Sequence, residues 1–420
     1  MRHKTKSFLQ SFYHYMPNIL FLTTMYPDPL RPGTEVCHYF AREWVKMGYN
    51  VLVINYRSMF PRIYTDMATL FPKLAYKYIG NHVEMDRNKS IIQHEVEGIP
   101  VYSIPIFKYV PHGRYPKRVI KKQVQKLKTI LSDRKFIPDA IIGHFHNPQF
   151  EIVGALKKDF PTAHTCVSLH ELNASVLTKC YGKDCEKVIN GVDMIGFRSV
   201  PIKRRFEKTF GSHRKSFVCW SGTSPIYLQT PAFYERHFND GNIVDFLFVG
   251  QTIKRKYPKE TIEAIHKVYG RGDFHLTYVG SKDIAYPETQ QYIDDHGLGD
   301  KVTFLGQIPR DEIIKQYDRH QCFILISKSE VFGLVYLEAM ARGCITVASK
   351  NEGMEGIIQD GVNGFLCKAG DVNELVSVIQ RINALSATEK KKISDNARHT
   401  AEELSDYNVA KHYIETVMNS

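Results

Sequence analysis

The sequence predicts an α/β fold made of two Rossmann-like, doubly wound domains that face a central cleft. Three observations support this prediction. The chain has 420 residues, which is too long for one hydrophobic core and suits two domains of roughly 200 residues each. Short β-branched apolar runs alternate with helical patterns, as in parallel sheets covered on both faces. A stretch rich in Ser, Thr, Pro and Asn, from Ser221 to Asp240, interrupts this alternation near mid-chain.

Apolar runs of strand type occur in two series, and helical patterns separate most of them. In the first half the candidates are Ile19 to Thr24, Val51 to Tyr56, Val101 to Ile106, Ala140 to Phe145, Thr165 to His170, and Met194 to Phe197. In the second half they are Val244 to Val249, Leu276 to Val279, Val302 to Leu305, Phe323 to Ser327, and Ile345 to Ser349. Two series predict two sheets, and ligands of such sheets bind beyond the carboxyl ends of the strands.

The same patterns set the expected domain limits. We expect residues 1–222 to form the first domain and residues 223–405 the second. The remaining residues, 406–420, have a helical pattern with one apolar face, and we expect this helix to cross back to the first domain. The apolar face consists of Val409, Tyr413 and Val417. The aromatic and basic stretch from Met59 to Lys89 is interpreted as an insertion after the second strand.

Composition narrows the class of protein. No apolar run approaches the ~20 residues of a membrane-spanning helix. Pro17 and Asn18 interrupt the apolar start of the chain and no small-residue cleavage site follows, so we expect no signal peptide. Six of the eight cysteines lie singly in or beside apolar segments and predict buried side chains. Cys180 and Cys185 form one close pair, which is too little for a structural zinc site. We therefore expect a cytoplasmic protein.

The chain is basic, with a formal net charge of +12, and such proteins attract nucleic acid, phospholipid headgroups or phosphorylated substrates. No acidic residue lies between Gly98 and Ser132, and the basic residues there are Lys108, Arg114, Lys117, Arg118, Lys121, Lys122, Lys126 and Lys128. Apolar residues at helical spacing predict a core-facing stripe, and these are Ile120, Val124, Leu127 and Leu131. We expect residues 114–132 to dock on an anionic membrane surface. The alternative is a solvated helix that keeps the protein soluble.

The strongest chemical signal is the segment SKSEVFGLVYLEAMARG, from Ser327 to Gly343. A strand is predicted to end at Ser327, and a helix to begin near Phe332 and stop at Gly343. The helix start offers unpaired N–H groups from Phe332, Gly333 and Leu334, which favour an anion such as a diphosphate. Gly333 also lets a ligand approach the backbone closely.

Two carboxylates belong to this segment. Glu330 precedes the helix, and Glu338 lies eight residues later, inside it. Carboxylates in these places can accept hydrogen bonds from sugar hydroxyls. The alternative makes Glu330 a helix cap and Glu338 an ordinary solvated residue.

The whole pattern, Glu-x7-Glu followed by Ala-Met-Ala-x-Gly, resembles the retaining glycosyltransferases of the two-domain B fold (GT-B), in particular family four, the glycosyl transferases group 1. The resemblance covers nearly all of the chain and is strongest from Val244 to Cys367. In that family the first Glu touches the donor sugar and the second binds the nucleotide ribose, which implies these roles for Glu330 and Glu338. It also implies retention, a nucleotide-diphosphate sugar as co-substrate, and no further cofactor.

A basic loop follows the first strand of the second series, in FLFVGQTIKRKYPKETIEAI. Its cations, Lys254, Arg255 and Lys256, stand at a strand's carboxyl end and suit a diphosphate leaving group. The family usually has Gly-Arg here and a Lys five residues after that Arg. Gly250 and Lys256 match this pattern, but Gln251 replaces the Arg, so Lys254 or Arg255 would supply that contact. The alternative is a solvated basic loop.

The resemblance places further residues in the cleft. The backbone from Gly306 to Ile308 matches the family segment that meets the base, and Gly353 matches a loop that reaches the donor. In the first half, Gly33 remains from an opening loop that often has two glycines. His170, after an apolar strand, matches a histidine near the reacting sugar.

We therefore expect His170, Glu330 and Lys256 to be catalytic. For His144 and His146 we favour a structural role.

Two absent motifs shape the functional prediction. No Asp-x-Asp occurs in the sequence, so we expect Lys, Arg and the helix start, rather than a metal, to meet the charge of the leaving diphosphate. No G-x-G-x-x-G occurs either, which argues against a dinucleotide cofactor. We expect sugar transfer to a glycan or lipid-linked acceptor in cell-envelope polysaccharide or lipid-linked glycan synthesis, with no nucleic acid partner. The alternatives are a nucleotide-sugar epimerase or phosphorylase on the same fold, and a non-catalytic basic protein that binds membrane or nucleic acid.

Overall fold

Two sheets organise the part of the chain that the computed structural model describes, which is residues 15–29, 36–70, 88–110, 113–171, 174–212, 214–228 and 238–420. The first sheet contains β1 (Asn18–Thr23), β2 (Asn50–Met59), β3 (Ile92–Val96), β4 (Ile99–Phe107), β5 (Ala140–His144), β6 (His164–Leu169), β7 (Met194–Phe197) and β8 (Ser216–Val218). The second sheet contains β9 (Asp245–Val249), β10 (His275–Val279), β11 (Val302–Gly306), β12 (Cys322–Ile324), β13 (Ile345–Ser349) and β14 (Phe365–Cys367).

Helices connect most of these strands. Those of the first half are α1 (His38–Lys46), α2 (Arg62–Leu70), α3 (Lys117–Asp133), α4 (Gln149–Asp159), α5 (Ser175–Tyr181), α6 (Cys185–Ile189), α7 (Val200–Phe210) and α8 (Pro225–Leu228). Those of the second half are α9 (Pro258–Tyr269), α10 (Tyr286–Asp295), α11 (Arg310–Arg319), α12 (Leu334–Ala341), α13 (Val372–Asn383), α14 (Ala387–Glu403) and α15 (Asp406–Met418).

The strand order confirms the predicted α/β class with two doubly wound sheets. The first sheet runs β3-β4-β2-β1-β5-β6-β7-β8 and the second β11-β10-β9-β12-β13-β14. Every neighbouring pair is parallel except β3 with β4. The order reverses between β1 and β5 in the first sheet and between β9 and β12 in the second. Ligands of open α/β sheets bind in the crevice at such switch points, which directs attention to the loops that follow these four strands.

Alternating side chains of the first sheet pack into two cores. Leu20 and Leu22 face the core under α3 to α7, whereas Ile19 and Phe21 face the core that α1 covers. This alternation is the period-2 pattern of a strand that is buried on both faces.

The last helix, α15, packs on the first domain. Its residues Val409, Tyr413 and Val417 are buried in the same core as α1, as their predicted apolar face requires. The indole N–H of Trp44 in α1 donates to the Ala410 carbonyl at 2.9 Å. The C-terminal end of the chain therefore contributes core side chains to the N-terminal sheet.

Several element limits differ from the sequence expectation. Strands β3, β8 and β14 were not predicted, because β3 is a half-exposed antiparallel edge strand and the other two have three residues each. The strand predicted from Phe323 to Ser327 ends at Ile324. In the region expected to be an insertion, α2 is helical, and residues 71–87 lie outside the described part. Within the described residues, no helix combines the length and the apolar character needed to cross a bilayer.

Candidate active site

Glu330 stands in the loop that joins β12 to α12, at the switch point of the second sheet. One carboxylate oxygen accepts a hydrogen bond from Ser327 Oγ at 3.2 Å and lies 3.4 Å from a guanidinium nitrogen of Arg255. Its backbone N–H donates to the carboxylate of Glu352 at 2.9 Å. The loop reaches the first domain, because the neighbouring Val331 packs against that domain's core. The Glu330 carboxylate is therefore fixed where the two domains meet.

Helix α12 begins at Leu334, two residues later than predicted from the sequence. Gly333 precedes it with φ of 87°, a left-handed conformation that favours glycine. A β carbon at Gly333 would also collide with the Tyr336 ring. Phe332 is buried and lies before the helix. The free N–H groups of the helix start therefore belong to Gly333, Leu334 and the residue that follows, and the prediction that included Phe332 is wrong by this shift.

Glu338 lies on the next turns of α12, next to the space between the domains. Tyr317 donates its hydroxyl hydrogen to the Glu338 carboxylate at 3.0 Å. Burial raises the pKa of Glu338 above its ordinary value, although Tyr317 and Arg310 oppose the shift. Tyr227 also stabilises the charged form of Glu338 by a hydrogen bond, and hydroxyl groups of a ligand would stabilise it further.

A cavity of about 440 Å³ lies between the domains in front of Glu338. Its walls come from α1, from the segment around residue 223, from the start of α15 and from the second domain. The lining residues are Val36, Tyr39, Arg42, Gly222, Thr223, Ser224, Tyr227, Arg310, Leu334, Glu338 and Asp406. Small-molecule pockets of ≈ 300–1,000 Å³ at domain interfaces are common, so this cavity is large enough for part of a small-molecule ligand.

The three cations of the basic loop form a short 3₁₀ turn, Lys254–Lys256, after β9. Lys254 and Arg255 are exposed, whereas Lys256 is half-buried. Lys256 lies over the backbone of Gly250, where a β carbon would collide with the ammonium group. Gln251, at the position where the family usually has Arg, is exposed.

The Lys256 ammonium is poorly compensated. Burial lowers its pKa below the ordinary value; Glu330 opposes this shift and Arg255 adds to it. Within the described residues, the Lys256 ammonium forms no hydrogen bond or ion pair. A half-buried ammonium group without a direct partner favours an anionic ligand.

Three further positions were expected to contact the donor. Gly306 ends β11, and its carbonyl accepts the Gly280 N–H at 2.8 Å. Ile308 packs partly buried on the core of the second domain, two residues before the cavity residue Arg310. Gly353 lies so close to the backbone of Phe332 that a β carbon would clash there. The expected Gly33 lies outside the described residues.

On the first domain, His170 follows β6 next to the switch point. Its Nε2 lies 3.0 Å from Nδ1 of His144, the last residue of β5. The His170 ring also stacks on Phe145, with centroids 4.1 Å apart. Burial lowers the pKa of both histidines well below the ordinary value, and the Arg198 guanidinium adds to the shift. Both imidazoles are therefore neutral at physiological pH.

The sequence interpretation missed the pairing of His146 with Glu171. These side chains follow the adjacent strands β5 and β6, and His146 Nδ1 lies 2.5 Å from the Glu171 carboxylate. Burial opposes protonation of His146, but Glu171 outweighs it and raises the pKa of His146 to about 9. Burial likewise opposes ionisation of Glu171, and His146 lowers its pKa overall. No sequence motif pairs these two residues, because their contact depends on β5 lying beside β6 in the sheet.

One cluster has the side chains of a soft-metal site. Ligand atoms of Cys37, His144 and His170 all lie within 4.8 Å of one another. The buried Arg198 guanidinium, which disfavours a proton on either histidine, equally disfavours a cation between them. We therefore interpret the cluster as a hydrogen-bonded group.

Side chains also bridge the two domains outside the cavity. Arg204 of α7 forms a two-pronged ion pair with Glu355, with distances of 2.7 and 2.9 Å, and Arg205 donates to the Asn351 carbonyl at 3.0 Å. These contacts hold α7 of the first domain against residues 351–355 of the second domain.

The amino-acid sequence of the second half is similar to that of a described protein family. Residues 233–400 match the sequence model of the family described as "Glycosyl transferases group 1". The second domain is therefore similar in sequence to the domain of this family. This domain carries both carboxylates of the Glu-x7-Glu pattern and the basic loop.

Similar proteins extend the comparison to the rest of the chain. An uncharacterised glycosyltransferase of Methanocaldococcus jannaschii is 25% identical over 335 residues, which are 76% of this chain and 89% of that protein. A D-inositol 3-phosphate glycosyltransferase of Mycolicibacterium smegmatis is 30% identical over 136 residues, which are 32% of this chain and 31% of that protein. These similarities support a glycosyltransferase activity for this chain.

Solved structures show the same fold over nearly the whole chain. Sucrose-phosphate synthase from Thermosynechococcus elongatus matches with a TM-score of 0.65 and 19% identity, covering 96% of this chain and 100% of that one. Anabaena HepE in complex with UDP matches with a TM-score of 0.64 and 17% identity, covering 96% and 100%. These neighbours confirm the predicted α/β fold of two Rossmann-like domains over nearly the whole chain.

Proposed function

We propose that this chain transfers a sugar from a nucleotide-diphosphate sugar to an acceptor hydroxyl, with retention at the anomeric carbon and without a metal. The observation that carries the proposal is the half-buried Lys256 ammonium, which lies near the Glu330 carboxylate and has no direct partner among the residues that the structure describes. Sugar transfer needs a site that binds a diphosphate more tightly as its charge grows, and preorganised cations and N–H groups supply that stabilisation.

The proposed donor lies along α12. The ribose would bond to Glu338 in the cavity, and the diphosphate would lie between Lys256 and the N–H groups of Gly333 and Leu334. The sugar would reach Glu330, whose carboxylate is fixed by Ser327. A solved relative in complex with UDP, HepE from Anabaena, supports a nucleoside diphosphate as the ligand class.

The proposed reaction takes place between the two domains. The C–O bond to the diphosphate breaks as the acceptor oxygen approaches the anomeric carbon from the same face. The departing phosphate oxygen takes the acceptor proton, so no separate base is needed. His170 would contact the sugar from the first domain. The neutral state of its imidazole suits hydrogen bonding to a sugar oxygen better than proton transfer.

The acceptor is proposed to be a glycan or lipid-linked hydroxyl, reached from an anionic membrane surface by the first domain. On α3, Lys121 and Lys122 are exposed, and a groove of about 340 Å³ lies beside this helix. The groove is lined by the cations Lys117, Lys158 and Lys187, by the apolar side chains Ile120 and Phe150, and by the carboxylates Glu151 and Asp184. Lys117 lies 3.3 Å from Asp184, so Lys158 and Lys187 are the cations that we propose to contact a phospholipid headgroup.

One experiment tests the donor half of this proposal. The protein is incubated with a panel of nucleotide-diphosphate sugars, and nucleotide release is measured with and without a mixture of membrane lipids and simple glycosides. We expect release from one donor class, faster with acceptor, and unchanged by a metal chelator. The anomeric configuration of the product, read by proton NMR, checks retention. Activity that disappears with the chelator contradicts the metal-free mechanism.

The same assay separates the alternatives. An epimerase would convert the donor without releasing nucleotide, and a phosphorylase would need inorganic phosphate. A non-catalytic binding protein would show no shift in melting temperature with any nucleotide, whereas a donor at 100-fold excess over Kd stabilises by roughly 2.7 kcal/mol.

A further inference from the structure

A buried chain of hydrogen bonds leads from the interior of the first domain to His170. Ser168 Oγ lies 2.5 Å from the hydroxyl of Tyr413, and that hydroxyl lies 3.2 Å from Nε2 of His144. Nδ1 of His144 then lies 3.0 Å from Nε2 of His170. Ser168, Tyr413 and His144 are fully buried, whereas His170 is partly exposed. We call these four residues the histidine chain.

The histidine chain couples the tautomers of the two imidazoles. A neutral imidazole has one N–H and one acceptor nitrogen, so the partner of one nitrogen decides what the other presents. If Tyr413 donates to Nε2 of His144, then Nδ1 of His144 carries the hydrogen and donates to Nε2 of His170. Nδ1 of His170 must then carry the hydrogen of that ring. The opposite direction makes Nδ1 of His170 an acceptor.

The surrounding groups favour hydrogen-bond donation in the direction from Ser168 towards His170. A phenol is a better donor than acceptor towards an imidazole nitrogen. The Cys219 thiol can donate to Ser168 Oγ at 3.4 Å, which leaves the serine hydroxyl hydrogen for the oxygen of Tyr413. Each hydrogen bond between Ser168 and Nε2 of His170 then has one donor and one acceptor, and Cys37 Sγ, 3.5 Å from Nδ1 of His144, can act as a second acceptor for that N–H. In the opposite direction, the serine hydrogen would be left with sulfur, a weak acceptor.

His170 has its remaining nitrogen available for a ligand. No partner of Nδ1 is formed within the described residues, and stacking on Phe145 fixes the plane of the ring. Phe145 itself has φ of 72°, an uncommon conformation for a bulky residue that the surrounding packing must hold. Its backbone N–H donates to the Ser168 carbonyl at 2.9 Å, so the loop and the histidine chain share one support.

We propose that Tyr413 of the last helix is a positioning residue for sugar transfer: through His144 it fixes His170 as the tautomer that presents Nδ1–H to the donor sugar. The inference rests on the proposed function, in which His170 touches the sugar. It assigns to α15 a part in the chemistry besides its part in the core. It also replaces the purely structural role that the sequence indicated for His144.

The test compares two variants that each remove hydrogen bonding from the same helix contact. Tyr413→Phe removes the hydroxyl of the histidine chain, and Trp44→Phe removes the bond from α1 to the Ala410 carbonyl. Both lose a polar contact of α15, but only the first alters the histidine chain. We expect Tyr413→Phe to lower kcat about 10- to 100-fold, by analogy with the hydrogen-bond partners of metal-bound histidines, with Kd for UDP unchanged. Trp44→Phe should keep kcat within about threefold. Equal loss of kcat in both variants, at equal loss of melting temperature, overturns the proposal.

A second comparison restores one contact. In His144→Asn, the side-chain amide stands near the place of Nδ1 and can donate to His170, whereas His144→Leu has similar bulk and no donor. We expect the Asn variant to retain at least tenfold more kcat than the Leu variant. If both are equally impaired, His144 only fills space.

The tautomer can be observed without any turnover. In protein labelled with ¹⁵N-histidine, the resonances of His144 and His170, assigned by their absence in the single variants, should show protonated Nδ1 in the wild type. Tyr413→Phe should change this pattern, and Trp44→Phe should not. Protonated Nε2 on His170 in the wild type overturns the inferred direction. If the wild-type protein shows this tautomer pattern but no transferase activity, the proposed function is refuted. The inferred hydrogen-bond direction of the histidine chain would still hold.

Discussion

Replacing Glu338 by Gln isolates the contribution of its charge to donor binding. The substitution keeps the shape and leaves Tyr317 with an oxygen acceptor at the 3.0 Å position. Because burial raises the pKa of Glu338, the charge does not favour the fold, so stability should be unchanged or slightly higher. Hydrogen bonds to a charged group are worth about 1.5–3 kcal/mol. The variant should therefore bind nucleoside diphosphate about 10- to 150-fold more weakly, since 1.4 kcal/mol corresponds to a factor of ten.

The assay is isothermal titration with UDP and with the donor found active in the release screen. Glu330→Gln is the matched control, because that carboxylate is expected to touch the sugar and not the nucleotide. It should leave Kd for UDP unchanged and reduce turnover. Affinity for UDP that survives in Glu338→Gln, or that falls equally in both variants, refutes the separate roles given to the two carboxylates.

The other predictions concern charge. Lys256→Ala should reduce kcat by about 10²–10³, as for other preorganised electrostatic groups, whereas Lys254→Ala, in the exposed part of the same turn, should stay within about threefold; the reverse order would transfer the role to Lys254. Burial, opposed by Arg42, raises the pKa of Asp406 to about 6. Between about pH 4 and pH 6 the folded state therefore binds more protons than the unfolded state. As the pH rises through that window, the free energy of unfolding should fall by at most about 3 kcal/mol. Asp406→Asn should therefore raise Tm at pH 8 and leave it unchanged at pH 4, and a lower Tm at both pH values would show that the Arg42 pair dominates. Reversing the α3 charges should abolish salt-sensitive sedimentation with anionic vesicles, while Lys391→Glu with Lys392→Glu on α14 should not; the α3 residues are Lys117, Arg118, Lys121 and Lys122.

The fold could be predicted from sequence because burial on both faces leaves a continuous apolar run. Strands β1 and β5, buried along nearly their whole length, were found within one residue. Short or half-exposed strands give no such run, and β8 and β14 were missed for that reason. The end of β12 was predicted too late for the opposite reason, because Leu325 and Ile326 are apolar and fully buried although they follow the strand.

The candidate site was predictable where one segment carries it. Glu330, Gly333 and Glu338 stand within nine residues, so a linear pattern reveals them. The start of α12 was misplaced because the left-handed conformation of Gly333 delays the helix, and a glycine in sequence is equally consistent with either start.

Contacts assembled from distant segments were not predictable. The His146–Glu171 pair and the His144–His170 contact depend on β5 lying beside β6 in the sheet. Tyr413 joins them from 269 positions beyond His144. Its apolar periodicity indicated burial of the ring and gave no information about the hydroxyl.

The docking of α15 sets the order in which this protein can be completed during synthesis. The core shared by β1, α1 and α15 lacks Tyr413 and Val417 until the second domain has been translated. The N-terminal sheet thus emerges from the ribosome with an apolar face uncovered. This face stays uncovered until α15 has been synthesised. Domains usually fold as units, N-terminal first, but here the earliest strands depend on the latest helix. A nascent chain halted before residue 406 should accordingly expose this face to chaperones, even though every strand of its sheet is already present.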